Sequence, residues 1–168
     1  MIPAAAPEPS KIPIEALLFE LAAQRFAVPL SDVVEVLRAV AIRALPSAPA
    51  ITLGIIDVRG EILPVLDLRA RFGLDEKALD ISDQFIVAHA GPRKVALHVD
   101  RTITLMQLSM LPSGRAENLA HAFGYLAGVA STDEGLVLIN DLTAFLSHAE
   151  ADALDAALED ERPAEPAS

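Results

Sequence analysis

Four aspartates that follow apolar runs are the residues whose type and spacing could support chemistry. They are Asp57, Asp67, Asp100 and Asp141. Two converging carboxylates can act as a general acid and base, or can ligate a hard cation. Aspartate also ends strands because its side chain accepts hydrogen bonds from nearby backbone amides in turns. We favour the turn role, and a small β-barrel enzyme or a metal- or ligand-binding module using Asp57, Asp67 or Asp100 is the competing class.

Other signatures of catalysis or cofactor binding are missing from the sequence. Its four histidines have no spacing typical of a zinc site. The chain contains no cysteine, which excludes a thiol nucleophile and a disulfide framework. It also lacks the glycine-rich motifs of nucleotide and dinucleotide sites and the GxSxG motif of many hydrolases. The sequence therefore predicts a protein that is not an enzyme and holds no cofactor or metal.

The charge of the chain excludes one class of partner. Thirteen Lys and Arg oppose twenty-four Asp and Glu, which gives a formal net charge of −11. Nucleic-acid binding depends on clustered cationic side chains, so we expect no nucleic-acid partner. No signal-peptide pattern opens the chain, and no uncharged apolar stretch approaches the roughly 18 residues that a membrane span needs. We expect a cytoplasmic protein that does not insert into the membrane.

The elements that must position any site are mostly short strands. Apolar runs of four to eight residues recur and are separated by Gly, Pro, Asp or Ser, a pattern that favours a barrel or sandwich. The ten predicted strands are Ile14–Leu21, Phe26–Leu30, Val33–Leu37, Ile51–Val58, Ile62–Leu68, Phe85–Ala90, Val95–Val99, Ile103–Leu108, Tyr125–Ala130 and Leu136–Ile139.

The two ends of the chain differ from this middle. Residues 1–13 are rich in proline and predict a flexible arm. Ser147 and Glu150 have the spacing of a capping box, and apolar residues at helical spacing follow, so we predict a helix over residues 148–160. Its acidic face is typical of a solvated surface, with a docking role as the alternative. Residues 161–168 are expected to be a disordered tail.

The most informative segment is the stretch between Ala44 and Leu74. Two prolines hold its first part extended, and two glycines lie where a strand begins and where two strands meet. Arg59 lies between the two apolar strands. It could be an arginine whose stem lies along a strand end, or a positioned donor for an acidic partner.

This segment resembles the hallmark of the chemotaxis coupling protein family, CheW. The matching positions occur in register and are Leu45, Pro46, Pro49, Gly54, Arg59, Gly60, Pro64, Asp67 and Leu68. Further similarity lies at Glu35-Val36 upstream, and at Ala96–Asp100, Tyr125–Val129 and Leu136–Asp141 downstream. The resemblance covers about residues 15 to 147, and the coupling domain is assigned to residues 14–147.

The resemblance implies a mainly β fold of two intertwined SH3-like five-stranded barrels with a C-terminal helix. It implies a non-enzymatic adaptor that joins the tip helices of chemoreceptors to the regulatory domain of the CheA histidine kinase. Val33 and Glu35 match positions near partner surfaces, and Arg59 matches a position associated with receptor and kinase contacts. An apolar groove between the subdomains would receive a receptor helix. Val33 alone fits a core position as well as an interface position.

The sequence departs from the family at three places. Asp57 stands where many relatives carry Asn, Asn140 stands where an apolar residue is usual, and the proline-rich arm exceeds a minimal member. Some relatives serve twitching motility or other chemosensory arrays, which is the alternative reading within this family. No receiver-domain pattern follows the coupling region.

Overall fold

The computed structural model describes residues 13–111 and 125–161. Within these ranges the chain forms ten strands in two five-stranded sheets, a short helix α1 at Leu68–Phe72 and a C-terminal helix α2 at His148–Asp160. The strands are β1 Pro13–Leu21, β2 Gln24–Pro29, β3 Val33–Arg38, β4 Thr52–Val58, β5 Glu61–Asp67, β6 Gln84–Ala90, β7 Arg93–Val99, β8 Arg101–Ser109, β9 Leu126–Thr132 and β10 Gly135–Asn140. The predicted fold class, mainly β with two five-stranded subdomains and a C-terminal helix, is confirmed.

One subdomain is inserted into the other. The first sheet has the strand order β8-β1-β2-β10-β9, and the second has the order β3-β6-β7-β5-β4. The second barrel is therefore continuous in sequence, whereas the first is built from both ends of the described chain. The 3-10 helix Leu30–Asp32 and the residue Asp100 connect the two barrels.

The two barrels share one topology. In each sheet a hairpin (β1-β2 or β6-β7) pairs in parallel with the strand that ends the other hairpin (β10 or β5). The equivalence extends to single bonds. Asp67 N–H donates to Ile51 O and Asp141 N–H donates to Tyr125 O, both at 2.7 Å. The strands β3 to β7 thus correspond to β8, β9, β10, β1 and β2 in that order.

The largest apolar core lies between the barrels. Each barrel has its own interior, around Leu18 and Ile139 in the first and around Phe85 and Leu63 in the second. Sixteen buried residues drawn from both sheets form a third cluster that the barrels share. Phe19 and Phe26 contribute to this cluster from the first barrel, and Ile86 and Leu97 contribute from the second. The shared cluster buries the outer face of each sheet and fixes one barrel against the other.

A charged network crosses the same junction. Asp100 accepts two hydrogen bonds from Arg69 Nη2, at 2.7 and 2.8 Å, and one at 2.9 Å from the backbone amide of Ala22. Ala22 and Ala23 form the β1-β2 turn with positive φ angles, a conformation that costs roughly 1–2 kcal/mol per non-glycine residue. Asp100 therefore stabilises a strained turn of the first barrel while it pairs with α1 of the second.

Helix α2 packs on the second barrel. Leu154 and Ala157 lie against Leu45 and Ile55, and Ser147 and Glu150 form the capping box. Two acidic residues of the helix and its C-cap Glu161 pair with arginines of the barrel: Arg71 Nη2 with Glu150 at 2.6 Å, Arg93 Nη2 with Asp155 at 2.6 Å, and Arg43 Nη2 with Glu161 at 3.6 Å. Part of the acidic face thus holds the helix on the barrel and is not simply solvated.

The predictions for the chain ends fall almost wholly outside the described residues. Of the arm predicted over residues 1–13, Pro13 alone is described and begins β1. Of the tail predicted over residues 161–168, Glu161 alone is described, and it is the C-cap residue that follows α2. No helix within the described ranges is both long enough and apolar enough to cross a membrane.

Asn140, which departs from the family pattern, is fully buried. Its Nδ2 donates to Ala27 O at 3.0 Å, next to the two residue pairs that join β10 to β2. A side-chain hydrogen bond therefore extends a short parallel ladder, whereas Asn140 Oδ1 is buried and accepts no hydrogen bond from the described residues.

We expect the stability of the fold to fall in acid because of two carboxylates, Asp83 in the second barrel and Asp100 at the barrel junction. Burial acts to raise the pKa of Asp83 and of Asp100, but hydrogen bonds from Lys77 and Arg69, with further donors, hold both pKa values below the ordinary 3.8. A depressed pKa stabilises the fold above the ordinary value, and this contribution is lost as pH falls from about 5 through the folded-state pKa. Urea unfolding between pH 7 and pH 3 measures it.

Asp100→Asn should lower the free energy of unfolding at pH 7 and make its decline in acid shallower. Asp152→Asn, which changes an exposed aspartate of α2, is the matched control and should leave the pH profile unchanged. Identical acid profiles for wild type and Asp100→Asn would show that this carboxylate does not link folding to pH.

Candidate functional site

The tip of the β4-β5 hairpin presents Arg59. Val58 pairs with Glu61, so Arg59 and Gly60 form a two-residue turn, and both have positive φ angles, of 50° and 87°. This is the pattern of a type I′ turn, in which glycine is favoured at the second position. Asp57 Oδ1 accepts a hydrogen bond from Gly60 N–H at 2.7 Å. The aspartate that replaces the usual Asn thus supports the backbone of the turn.

Arg59 forms an ion pair with Glu35. Arg59 Nη2 lies 2.5 Å from Glu35 Oε2, and the hydrogen bond together with the carboxylate charge raises the pKa of Arg59. The Arg59 side chain is 71% exposed and that of Glu35 is 27% exposed. The pair joins the hairpin tip to β3, across the seam between the two edge strands of the second sheet. The structure thus brings together two of the three predicted site residues.

Val33, the third predicted residue, faces a different part of the molecule. The register of β3 on β6 shifts between Val33, which pairs with Ala88, and Glu35, which pairs with Val87. Residues two apart in a strand normally share a face, so this irregularity places Val33 and Glu35 on opposite faces. Val33 is half-buried and packs against the shared core.

An apolar cleft opens beside the connector that precedes Val33. It has a volume of about 240 Å³, and its lining residues are Glu15, Leu30, Leu105, Met106 and Gln107. Leu105 pairs with Leu17, a member of the shared core, so it lies on the face of the first sheet that the second barrel covers elsewhere. We name this the connector cleft. Val33 lies three residues beyond Leu30 in sequence.

Sequence reasoning missed the residues of the connector cleft. Leu105 and Met106 lie in the predicted strand Ile103–Leu108, and the structure leaves both side chains exposed. The sequence does contain a usable signal. Consecutive residues of a strand point to opposite faces of the sheet, so two consecutive apolar residues need apolar neighbours on both faces. Whether other elements cover Leu105 and Met106 depends on which strands pair. The sequence pattern alone does not reveal that pairing.

Gly54 closes the second barrel by a close backbone approach. Arg43 exchanges two backbone hydrogen bonds with Ile55, at 2.7 and 2.9 Å, and joins the segment after β3 to β4. A Cβ atom on Gly54 would lie 2.2 Å from Arg43 O, and its φ of 151° suits glycine. A Cβ atom on Gly128, at the equivalent position of the first barrel, would lie 2.6 Å from the side-chain sulfur of Met110.

The aspartates that could have formed a chemical site bond to turns. Asp67 Oδ1 accepts from the amides of Arg69 and Ala70 at the start of α1, and Asp141 Oδ1 accepts from the amide and hydroxyl of Thr143. Asp57 and Asp100 bond as described above. Within residues 13–111 and 125–161, no group of three or more His, Asp or Glu side chains is arranged to hold a metal ion.

Comparison with known proteins identifies the family to which the chain belongs. The model of the CheW-like domain matches residues 15–150. The chain belongs to the CheW-like family. The probable chemotaxis protein CheW of Rhizobium etli is 28% identical over 143 residues, which cover 83% of this chain and 91% of that protein. Protein FrzA of Myxococcus xanthus is 28% identical over 131 residues, which cover 75% and 81%.

A solved structure extends the likeness to the fold. The scaffolding protein TtCheW of Thermoanaerobacter tengcongensis superposes with a TM-score of 0.69 at 26% identity, over 83% of this chain and 96% of that one. The resemblance inferred from the motif is therefore confirmed. The chain is a CheW-type coupling scaffold of chemosensory signalling.

Two family glycines should differ sharply in their tolerance of alanine. Gly54→Ala should destabilise the fold by about 2 kcal/mol or more, because the new methyl group would meet a backbone carbonyl that side-chain movement cannot displace. Gly60→Ala should cost only about 1 kcal/mol, from the positive φ angle, because nothing lies within 4 Å of its Cβ position. Urea unfolding of both variants measures the difference, and equal losses would contradict this account of the barrel seam.

Proposed function

We propose that this CheW-like chain is a non-enzymatic cytoplasmic adaptor between the tip helices of methyl-accepting chemoreceptors and the regulatory domain of a CheA-type histidine kinase. The observation that carries the proposal is the ion pair between Arg59 at an exposed hairpin tip and Glu35 in β3, which lies within the residues that match the CheW-like domain. The candidate catalytic aspartates are engaged in turns and at the barrel junction, which supports an adaptor over an enzyme.

The connector cleft suits a receptor helix. Its floor is apolar, and it lies beside the shared core, where the two barrels meet. An amphipathic helix binds such a surface through apolar residues spaced three and four apart. Val33 would add apolar contact at the margin of the cleft, and Glu15 and Gln107 would meet polar residues flanking the apolar stripe of the helix.

The Glu35–Arg59 pair would set charge complementarity and orientation. Arg59 presents its guanidinium outward and remains cationic at any physiological pH, so it can bind a partner carboxylate while still paired to Glu35. Glu35 Oε1 is buried, so Glu35 acts through Oε2, which holds the exposed Arg59 guanidinium in place. Charged groups at the rim of an interface mainly determine association rate and specificity.

A coupling role in another chemosensory array is the alternative within the family. The similarity to protein FrzA supports this alternative, because FrzA and the Rhizobium protein are each 28% identical to this chain. A metal- or ligand-binding barrel that uses Asp57, Asp67 or Asp100 is the alternative outside the family. A thermal shift caused by one divalent cation alone would favour that class, because a ligand that binds the folded state raises the melting temperature.

Titration of the full chain against a cognate kinase regulatory domain and a receptor-tip fragment tests the adaptor role. We expect each to bind with a Kd of about 100 μM or tighter, which is roughly −5.5 kcal/mol. Calorimetry or NMR titration measures both affinities. Absence of binding to both partners at these concentrations would falsify the proposal.

Arg59→Glu should weaken binding of the kinase regulatory domain or the receptor tip about tenfold or more, because it replaces the exposed cation beside Glu35 with a like charge. The melting temperature should change little, since the Arg59 side chain is mostly exposed. Arg101→Glu, at an exposed arginine that pairs with Glu20 in the first barrel, is the matched control. Unfolding of Arg59→Glu at room temperature would show that Arg59 is structural, and normal affinity for both partners would remove it from the interface.

A further inference from the structure

The turn that carries Arg59 has little support from packing. Arg59, Gly60 and Glu61 are all exposed, and nothing lies within 4 Å of the Cβ position of Gly60. Both turn residues have positive φ angles, a conformation that is uncommon for a residue with a side chain such as Arg59. Burial therefore does not hold the turn in this conformation, and local hydrogen bonds must do so.

Asp57 supplies a hydrogen bond that spans the turn. Its Oδ1 accepts at 2.7 Å from the amide of Gly60, three residues further along the chain. Aspartate and asparagine commonly fix turns in this way, by accepting from a nearby backbone amide. The Asp57 side chain is exposed, and so is its cross-strand neighbour Ile62. Asp57 therefore contributes to the turn and not to the core.

The Arg59 side chain crosses a seam to reach Glu35. Glu35 lies in β3, and Arg59 follows β4, and these two strands are the edges of the second sheet. The main chain joins the two edges through the isolated bridge between Arg43 and Ile55, which lies before the hairpin tip. The guanidinium spans the seam beyond this bridge, so the direction of the Arg59 backbone determines whether it can reach Glu35.

A second carboxylate lies near Arg59. The pKa of Arg59 is raised mainly by its hydrogen bond to Glu35, and the charge of Glu61 adds a smaller contribution. Glu61 lies two residues beyond Arg59, and it accepts from Lys94 Nζ at 3.0 Å. A change in the conformation of the turn would allow the guanidinium to move from Glu35 towards Glu61, where it would face in a different direction.

We propose that Asp57 is a positioning residue for the proposed partner interface. By fixing the turn, it keeps the Arg59 guanidinium on Glu35 and presents the other donors of this exposed group to a partner in one orientation. A group that is held in its binding orientation before association loses less conformational freedom when the partner binds, which raises affinity. The inference rests on the proposed function and adds to it the residue that controls how Arg59 is presented.

The positioning role requires an acceptor oxygen and not a negative charge. Asparagine at this position would keep an oxygen for the amide of Gly60 and would remove the charge. Alanine would remove both. These two substitutions therefore distinguish the positioning of the turn from a direct attraction between Asp57 and a cation of the partner.

Titration of the full chain with the kinase regulatory domain and with the receptor-tip fragment tests the inference. Asp57→Ala should weaken binding of the partner that depends on Arg59 by about threefold to tenfold, the loss expected when a long side chain has to be ordered on binding. Asp57→Asn should restore binding close to the wild-type value. Thr132→Ala is the matched control, because Thr132 Oγ1 bonds within the turn at the equivalent hairpin tip of the first barrel. It should lower the melting temperature about as much as Asp57→Ala does and leave both affinities unchanged.

A double-mutant cycle shows whether Asp57 acts through Arg59. In an Arg59→Ala background, Asp57→Ala should have no further effect on affinity, because the side chain that the turn positions is gone. Equal losses in both backgrounds would overturn the inference, and so would Asp57→Asn binding as weakly as Asp57→Ala. Unchanged affinity of Asp57→Ala for both partners would also overturn it, while binding of the wild type would still support the adaptor role. Failure of the wild type to bind either partner would instead contradict the proposed function itself.

Discussion

The apolar core shared by the two barrels is the constraint on which the rest of the structure depends. A five-stranded sheet curled around its own small interior still has an outer face, and here β1, β2, β6 and β7 carry apolar residues on that face as well. Neither outer face could remain in water without exposing a large apolar patch, so each barrel requires the other. Because the second barrel is inserted into the first, the outer apolar faces of the two barrels pack against each other.

This mutual burial determines where binding residues can lie. The central strands have both faces covered and are not accessible to partners. What remains accessible is the seam between β3 and β4, the hairpin tips, the loop after α1 and the margin of the shared core. The Glu35–Arg59 pair spans the first of these, and the connector cleft occupies the last. Because the core that holds them is rigid, these surfaces keep fixed positions relative to one another, which an adaptor requires.

Much of the fold and part of the site could be predicted from the sequence. The ten strands were recognisable because runs such as Phe85–Ala88 are continuously apolar, which is typical of strands covered on both faces. Glu35 and Arg59 were identified through the family resemblance, and the structure adds that they touch. The opposite orientation of Val33 could not be predicted, because it follows from an irregular register between β3 and β6 that no spacing in β3 reveals. The common topology of the barrels was also hidden, since it depends on which strands pair and few residues repeat.

The net charge of the chain has little bearing on how it would select partners. Two acids of α2 are paired with arginines of the second barrel, Lys77 holds Asp83 in that barrel, and Arg69 holds Asp100 at the junction. These charges stabilise the fold and present no field to a partner. Arg59 at the β4-β5 tip differs from these charges, because its side chain is mostly exposed and its ion pair with Glu35 lies at the surface. A charge in this position can pair with an acidic group of a partner without breaking an interaction on which the fold depends.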